Sequence, residues 1–251
     1  MNPYETDKLV SDYLLFHYGS EEEILGRVPG PREGLNFPRR SVGDLIGPMG
    51  RESRALDIGC AVGRASFELA RYATSVIGID FSSRFISAAQ ELKVTGHLDG
   101  NYPVEGIVTA PFRAEVPGGI NRDRVTFETG DAMDLRQDLG EFDAVLAANL
   151  ICRLTDPRRF LDRLPALVKP GGQLLLTTPF TWLEEFTPRE NWLGGRDADD
   201  ARSFETLRAI LDPHFEFQTS KELPFLIREH ARKFQYVVAI GSRWKRRTEP
   251  A

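Results

Sequence analysis

Cysteine is scarce in this chain: there are two in 251 residues, Cys60 and Cys152. Two cannot build a disulfide framework, and neither sits in a metal-ligand spacing, so metal-free chemistry is expected. Long apolar runs are also missing. No stretch approaches the ~18 apolar residues that a membrane helix needs, and the N-terminus carries Asn2, Glu5, Asp7 and Lys8 instead of an export signal. A cytoplasmic protein with no membrane role is the expectation. Nor is there an excess of positive charge. The formal net charge of −5 argues against a nucleic-acid partner, whose usual footprint is a basic stripe. The tail cluster Arg243, Lys245, Arg246 and Arg247 reads as a solvated terminus. What is present is an ordinary globular hydrophobic content of 41% and enough length to bury a large core, which predicts one domain over residues 1–251.

The densest signal lies at Leu56-Asp57-Ile58-Gly59-Cys60-Ala61-Val62-Gly63, with an acid following in Val76-Ile77-Gly78-Ile79-Asp80. Apolar residues running into a small-residue turn predict a buried parallel strand, a turn that lets a ligand reach the backbone, and an acid placed to grip a ribose. Dinucleotide enzymes use a related turn, G-x-G-x-x-G, to hold a pyrophosphate on helix amides. Here the pattern is D-x-G-x-x-x-G, and Asp57 at the mouth of the turn would repel a pyrophosphate and attract a cation. S-adenosylmethionine (SAM), with a sulfonium, an ammonium and no phosphate, suits that charge better.

The spacing resembles the Rossmann-like SAM-dependent methyltransferases, and three later segments extend the resemblance: Gly130-Asp131-Ala132-Met133-Asp134, Phe142-Asp143-Ala144-Val145-Leu146-Ala147-Ala148-Asn149, and Leu167-Val168-Lys169-Pro170-Gly171-Gly172 before Gln173-Leu174-Leu175-Leu176-Thr177. The resemblance implies an α/β fold with a seven-stranded, mostly parallel sheet, an antiparallel last strand and helices on both faces. It also implies that Asp131 and Ala132 meet the adenine, and a cofactor set of Arg39, Asp57, Gly59, Cys60, Gly63, Asp80, Phe81, Asp131, Ala132 and Asn149, with S-adenosylhomocysteine (SAH) as product.

Around the core at 55–178 lie three further pieces. Residues 1–54 predict an N-terminal cap helix from Tyr4 through Tyr18, then a Gly/Pro-rich loop and a helix starting at Val42 with Ser41 as its cap. An N-terminal helix and loop commonly cover the cofactor in this fold, which makes Tyr13, Arg39 and Arg40 candidates, an arginine there pairing with the carboxylate of the methionine moiety. Residues 91–124 form an insertion, read as two short strands at Tyr102–Val108 and Phe112–Val116 around Thr109-Ala110-Pro111, shaping either the substrate pocket or an oligomer contact. Residues 179–251 hold substrate-side loops, a helix near 203–211, and closing strands at Phe215–Leu223 and Lys233–Trp244 with a connection between them.

A narrower resemblance rests on Asn2-Pro3-Tyr4-Glu5-Thr6-Asp7-Lys8-Leu9-Val10, Leu14-Leu15-Phe16-His17-Tyr18-Gly19, the glycine turn, Phe180-Thr181-Trp182-Leu183-Glu184-Glu185 and Ile227-Arg228-Glu229-His230-Ala231-Arg232-Lys233-Phe234. These segments are similar to the mercaptohistidine N-methyltransferases of ovothiol biosynthesis. The resemblance implies methylation of an imidazole ring nitrogen of 5-thiohistidine (4-mercaptohistidine). It leaves no room for the iron-dependent sulfur-inserting module, so a separate sulfoxide synthase would be a functional link.

Such a transfer is an in-line displacement in which positioning carries much of the rate. A dedicated base is optional, because the acidic thiol eases loss of the ring proton to water. An amino-acid acceptor calls for a cation and an anion: Arg228, Arg232 and Lys233 are candidates for the first, and Glu229, Glu184 or Glu185 for the second. Alternation along a strand would put Arg228 and Arg232 on one face, opposite Glu229. Tyr4, Tyr13, Asn149 and Arg153 are expected near the thioimidazole, and His17 or His230 could accept a proton. Two other readings stay open: a SAM-dependent methyltransferase for another small amine, amino acid or thiol, and a non-catalytic SAM- or SAH-binding regulatory or partner protein.

Overall fold

The computed structural model describes residues 5–248. Its strands are β1 (Arg54–Ile58), β2 (Ser75–Asp80), β3 (His97–Glu105), β4 (Val108–Glu115), β5 (Val125–Thr129), β6 (Phe142–Ala148), β7 (Val168–Thr178), β8 (Phe215–His230) and β9 (Lys233–Arg246). The helices are α1 (Asp7–Tyr18), α2 (Glu21–Leu25), α3 (Phe37–Gly43), α4 (Arg64–Leu69), α5 (Ser83–Thr95), α6 (Pro157–Arg163) and α7 (Ser203–Leu211). Seven strands form one sheet in the order β5-β2-β1-β6-β7-β9-β8. β5, β2, β1, β6 and β7 run parallel, while β9 pairs antiparallel with both β7 and β8. This is the Rossmann-like sheet expected, with its last strand reversed.

Alternation along the parallel strands sends successive side chains to opposite faces. Ala55, Val76, Leu146 and Leu175 join one buried cluster, completed by Leu14 and Leu15 of α1, Val42 of α3, Phe67 of α4 and Leu92 of α5. Leu56, Ile79, Val145 and Leu176 join the other, completed by Phe160 and Leu161 of α6 and Leu207 and Leu211 of α7. The apolar runs of the sequence are thus strands buried on both faces.

Three expectations about local structure are corrected. The helix expected to start at Val42 begins at Phe37, with Pro38 in its first turn. Ser41 therefore lies inside it, its hydroxyl donating to the Pro38 carbonyl at 2.9 Å. In the 91–124 insertion the turn falls at Gly106-Ile107, where Gly106 takes φ +56°, and Pro111 lies within β4 opposite Asn101. A two-stranded ribbon has only edges, so it tolerates that proline. The connection expected between Leu223 and Lys233 is instead a continuation of β8 to His230, again through a proline, Pro224, on an edge strand.

The β3–β4 ribbon packs on α1, α5 and β8 and contributes no side chain to the central cleft. It therefore braces the helix that covers the cleft. At the start of α1, the Thr6 side chain accepts from the Leu9 N–H, and the Glu5 carboxylate accepts from the Ser83 N–H and hydroxyl at 2.9 and 3.1 Å. These contacts join α1 to the N-terminus of α5. Among the described residues, no helix is long and apolar enough to cross a membrane.

Candidate functional site

The parallel strands all end at one edge of the sheet, and a cleft of about 850 Å³ opens there beneath α1. Its floor begins at the turn after β1. Gly59 and Gly63 adopt φ of +76° and +82°, and Ala61 also has positive φ. The N–H groups of Gly59 and Cys60 both donate to the Ile79 carbonyl, at 2.8 and 3.0 Å, holding the turn against the end of β2. A side chain at Gly59 would reach toward Leu150, so glycine there keeps the floor open.

Three acids line this end of the cleft. Asp57 is buried and accepts from the Ser66 hydroxyl at 2.6 Å. Burial, reinforced by the nearby charge of Asp80, pushes its carboxyl up to about 7. Asp80, at the end of β2, accepts from the N–H of Ala61 at 2.8 Å and of Ser82 at 2.9 Å, so its carboxylate bridges the turn and the start of α5. Burial also raises Asp80 from the ordinary carboxylate range, against those two hydrogen bonds. Asp131 follows β5 and accepts from the Met133 N–H at 2.8 Å, with Ala132 beside it. Phe81 is 61% exposed at the same end.

At the other end, Asn149 takes φ +53° after β6. Its N–H donates to both oxygens of Thr177, and the Thr177 hydroxyl donates to its Oδ1 at 2.9 Å. That bond engages Oδ1 and leaves the amide's N–H donors for the cleft that Asn149 lines. Arg153 lies against the Phe186 ring at 4.7 Å and donates to the Cys152 and Thr181 carbonyls. Glu185 and Phe186 line the cleft after β7. Phe16, Phe37 and Phe225 form an aromatic wall, with ring centroids 4.9 to 6.1 Å apart. Tyr13 and His17 come down from α1, Tyr13 packing on Phe85 at 4.7 Å.

The structure therefore brings together Tyr13, Asp57, Gly59, Cys60, Asp80, Phe81, Asp131, Ala132, Asn149 and Arg153. Other candidates lie elsewhere. Gly63 does not line the cleft. It starts α4, and a Cβ there would come within 2.6 Å of Phe127, so close packing is its role. Arg39 is exposed outside the cleft, and Arg40 is fixed on the Leu35 and Pro224 carbonyls. Glu184 is exposed, while its neighbour Glu185 faces the cleft.

The segment 228–233 is turned away as a consequence of the continued β8. Arg228 is buried, with its guanidinium over the Tyr102 ring at 4.9 Å, donating to the Ile24 and Pro103 carbonyls. Glu229 pairs with Lys233 at 2.6 Å, and Arg232 is exposed in the hairpin turn. Tyr4 lies outside the described residues. Sequence reasoning missed Phe16, Phe37 and Phe225. Phe16 lay on the same helical face as Tyr13, but nothing local joined it to the other two.

This donor set fits SAM. Among the described residues, acids and no lysine or arginine line the cleft at the glycine-turn end, Arg64 being paired with Glu68 at 2.9 Å. That arrangement suits hydroxyls, an amino group and cations, and opposes a pyrophosphate. Among the described residues, no group of three or more His, Cys, Asp or Glu is placed to hold a metal ion.

Residues 34–230 match the family described as a methyltransferase domain. Among curated relatives, a ubiquinone biosynthesis O-methyltransferase from Bradyrhizobium sp. (strain ORS 278) is 32% identical over 125 residues, covering 50% of this chain and 39% of that protein. One from Coxiella burnetii (strain Dugway 5J108-111) is 28% identical over 123 residues, covering 49% and 42%. The matches thus span about two fifths of these relatives' length. The crystal structure of a SAM-dependent methyltransferase from Methanosarcina mazei superposes with a TM-score of 0.53 at 20% identity, covering 80% of this chain and 95% of that one, a likeness of fold.

Proposed function

The chain belongs to the family of SAM-dependent methyltransferase domains, and from that premise we propose that it transfers the methyl group of SAM to an imidazole ring nitrogen of 5-thiohistidine. The products are ovothiol and SAH. The observation that carries this reading is an aromatic wall, Phe16, Phe37 and Phe225, in the same cleft as Arg153 after β6 and Glu185 after β7, a cation and an anion at the end away from the glycine turn. A zwitterionic amino acid with a planar ring has need of all three. The segments that resemble mercaptohistidine N-methyltransferases include Phe16 of this wall and Glu185.

When bound, SAM supplies an electrophilic methyl on a sulfonium. The protein's part is to bind and orient. Asp80 offers its carboxylate to a ribose diol, and Asp131 and Ala132 meet an adenine edge. The acceptor has two nucleophiles, a ring nitrogen and a softer sulfur, so its orientation decides the product. Asn149 presents amide donors to the acceptor end of the cleft and suits a thiolate as hydrogen-bond acceptor, which would hold the sulfur and leave a ring nitrogen for attack. The ring proton is lost to water, with no dedicated base. A reaction that installs sulfur on a histidine ring would supply the substrate.

A second reading comes from the relatives named as ubiquinone biosynthesis O-methyltransferases: transfer to an oxygen, with a phenol as the acceptor that this cleft would take. The aromatic wall serves a phenol equally, whereas the Arg153 and Glu185 pair has no evident partner on it. A panel of 5-thiohistidine, histidine, a small thiol and a catechol, each incubated with SAM and the purified chain, separates the readings by product mass. Transfer to 5-thiohistidine ahead of the others is expected, and transfer to the catechol alone would overturn the assignment.

A further inference from the structure

Asp57, Asp80 and Asp131 answer the cationic, hydroxyl and amino groups of SAM, but they leave its carboxylate without a partner. An ionised carboxylate withdrawn from water needs a hydrogen-bond donor. Arg39, Arg40 and Arg64 are turned away or already engaged. Two basic side chains line the cleft, Arg153 and His17.

Strand order decides between them. With the adenine at Asp131 after β5 and the ribose at Asp80 after β2, the remaining length of the cofactor runs across the turn of β1 toward β6. Arg153 lies beyond β6, clamped on Phe186. His17 sits by the turn itself: the adjacent Tyr18 hydroxyl donates to the Val62 carbonyl at 2.9 Å, and the imidazole feels the charge of Arg64, the first residue after the turn.

The His17 ring is held between Tyr13 and Phe16, at 5.7 and 5.3 Å. It is half-buried in the cleft wall, and its Nδ1 is enclosed with no hydrogen-bond partner among the described residues. Nε2 is then the nitrogen that a ligand can meet. A proton on Nδ1 would be an unpaired buried N–H, so the neutral ring carries its proton on Nε2.

We propose that His17 receives the carboxylate of the cofactor's methionyl group, donating from Nε2. The inference rests on the chain binding SAM and is independent of the methyl acceptor. Burial, with Arg64 adding to it, lowers the imidazole to about 3, so His17 acts at neutral pH as an uncharged donor and not as a base. Helix α1 thereby becomes part of the cofactor site as well as its cover.

The test compares two ligands by calorimetry on the full chain: SAH, which has the carboxylate, and 5′-methylthioadenosine, which lacks the amino-acid end. The His17→Phe variant keeps a ring between Tyr13 and Phe16, and His17→Gln restores a donor. His17→Phe should weaken SAH by about ten- to fifty-fold, as loss of one charge-assisted hydrogen bond does. It should leave 5′-methylthioadenosine within twofold, with His17→Gln recovering part of the SAH affinity. Equal weakening of both ligands, or unchanged SAH affinity, overturns the assignment. Should the variants not fold, 15N spectra of the native protein give the same decision: SAH should shift the His17 Nε2 resonance and 5′-methylthioadenosine should not, and an unmoved resonance overturns the role. Failure of the native chain to bind either ligand would instead overturn the cofactor reading, and the His17 role with it.

Discussion

The Tyr18 hydroxyl donates to the Val62 carbonyl at 2.9 Å, so the last residue of α1 is tied directly to the glycine turn. Through this bond the covering helix is registered on the backbone of that turn. Its partly buried position makes the hydroxyl worth about 1 kcal/mol, and its loss also leaves the Val62 carbonyl unpaired. Tyr18→Phe should therefore loosen α1 without unfolding the sheet. Hydrogen exchange should quicken over 7–18 and stay unchanged in β1 and β6, and SAH affinity should fall a few-fold.

The buried Asp57 makes stability depend on pH. Its carboxyl titrates near 7 in the folded chain, against about 4 in an unfolded one. Between these values the folded state holds a proton that the unfolded state has released, so stability falls as pH rises through the window and levels off above it. The loss attributable to this group is at most about 4 kcal/mol. Asp57→Asn keeps an acceptor for Ser66 and should flatten the slope in denaturant titrations between pH 5 and 8. Parallel slopes in the two proteins would contradict the origin assigned here.

Phe81 is a large aromatic ring left 61% exposed beside Asp80. Stacking of a base on an aromatic side chain is worth about 1–3 kcal/mol. Phe81→Ala should weaken SAH by tenfold or more while leaving the melting temperature within a degree or so, because the ring supports no core. A fall in melting temperature with unchanged affinity would show that the ring packs and does not bind.

Gly63 marks the opposite case, a glycine of the motif whose work is packing. Alanine there would carry φ +82° and bring its Cβ to 2.6 Å from Phe127. Backbone strain and overpacking together predict a destabilisation of about 3 kcal/mol, read from the denaturation midpoint. Cofactor affinity, measured where the variant is still folded, should change little.

These contrasts show which parts of the site the sequence could reveal. The turn and its acids were legible because their signal is local: small residues where the backbone needs positive φ, and an acid at the end of the next strand. The fate of Arg228 to Lys233 was not legible. It depends on β8 continuing through Pro224, which only an edge position allows, and the sequence does not announce an edge. Arg39 and Arg40 were misjudged because α3 begins at Phe37, so helical rotation turns one outward and fixes the other on backbone carbonyls. The wall of Phe16, Phe37 and Phe225 comes from three distant elements and exists only after they pack.

The central claim, transfer to a ring nitrogen of 5-thiohistidine, is tested most directly by NMR of the product made with 13C-methyl-labelled SAM. The labelled methyl's protons should correlate through three bonds with two imidazole ring carbons, as those of an N-methyl do, whereas those of an S-methyl reach only one, with SAH formed in equal amount. Label on sulfur, or no label on 5-thiohistidine while a catechol becomes O-methylated, would contradict it.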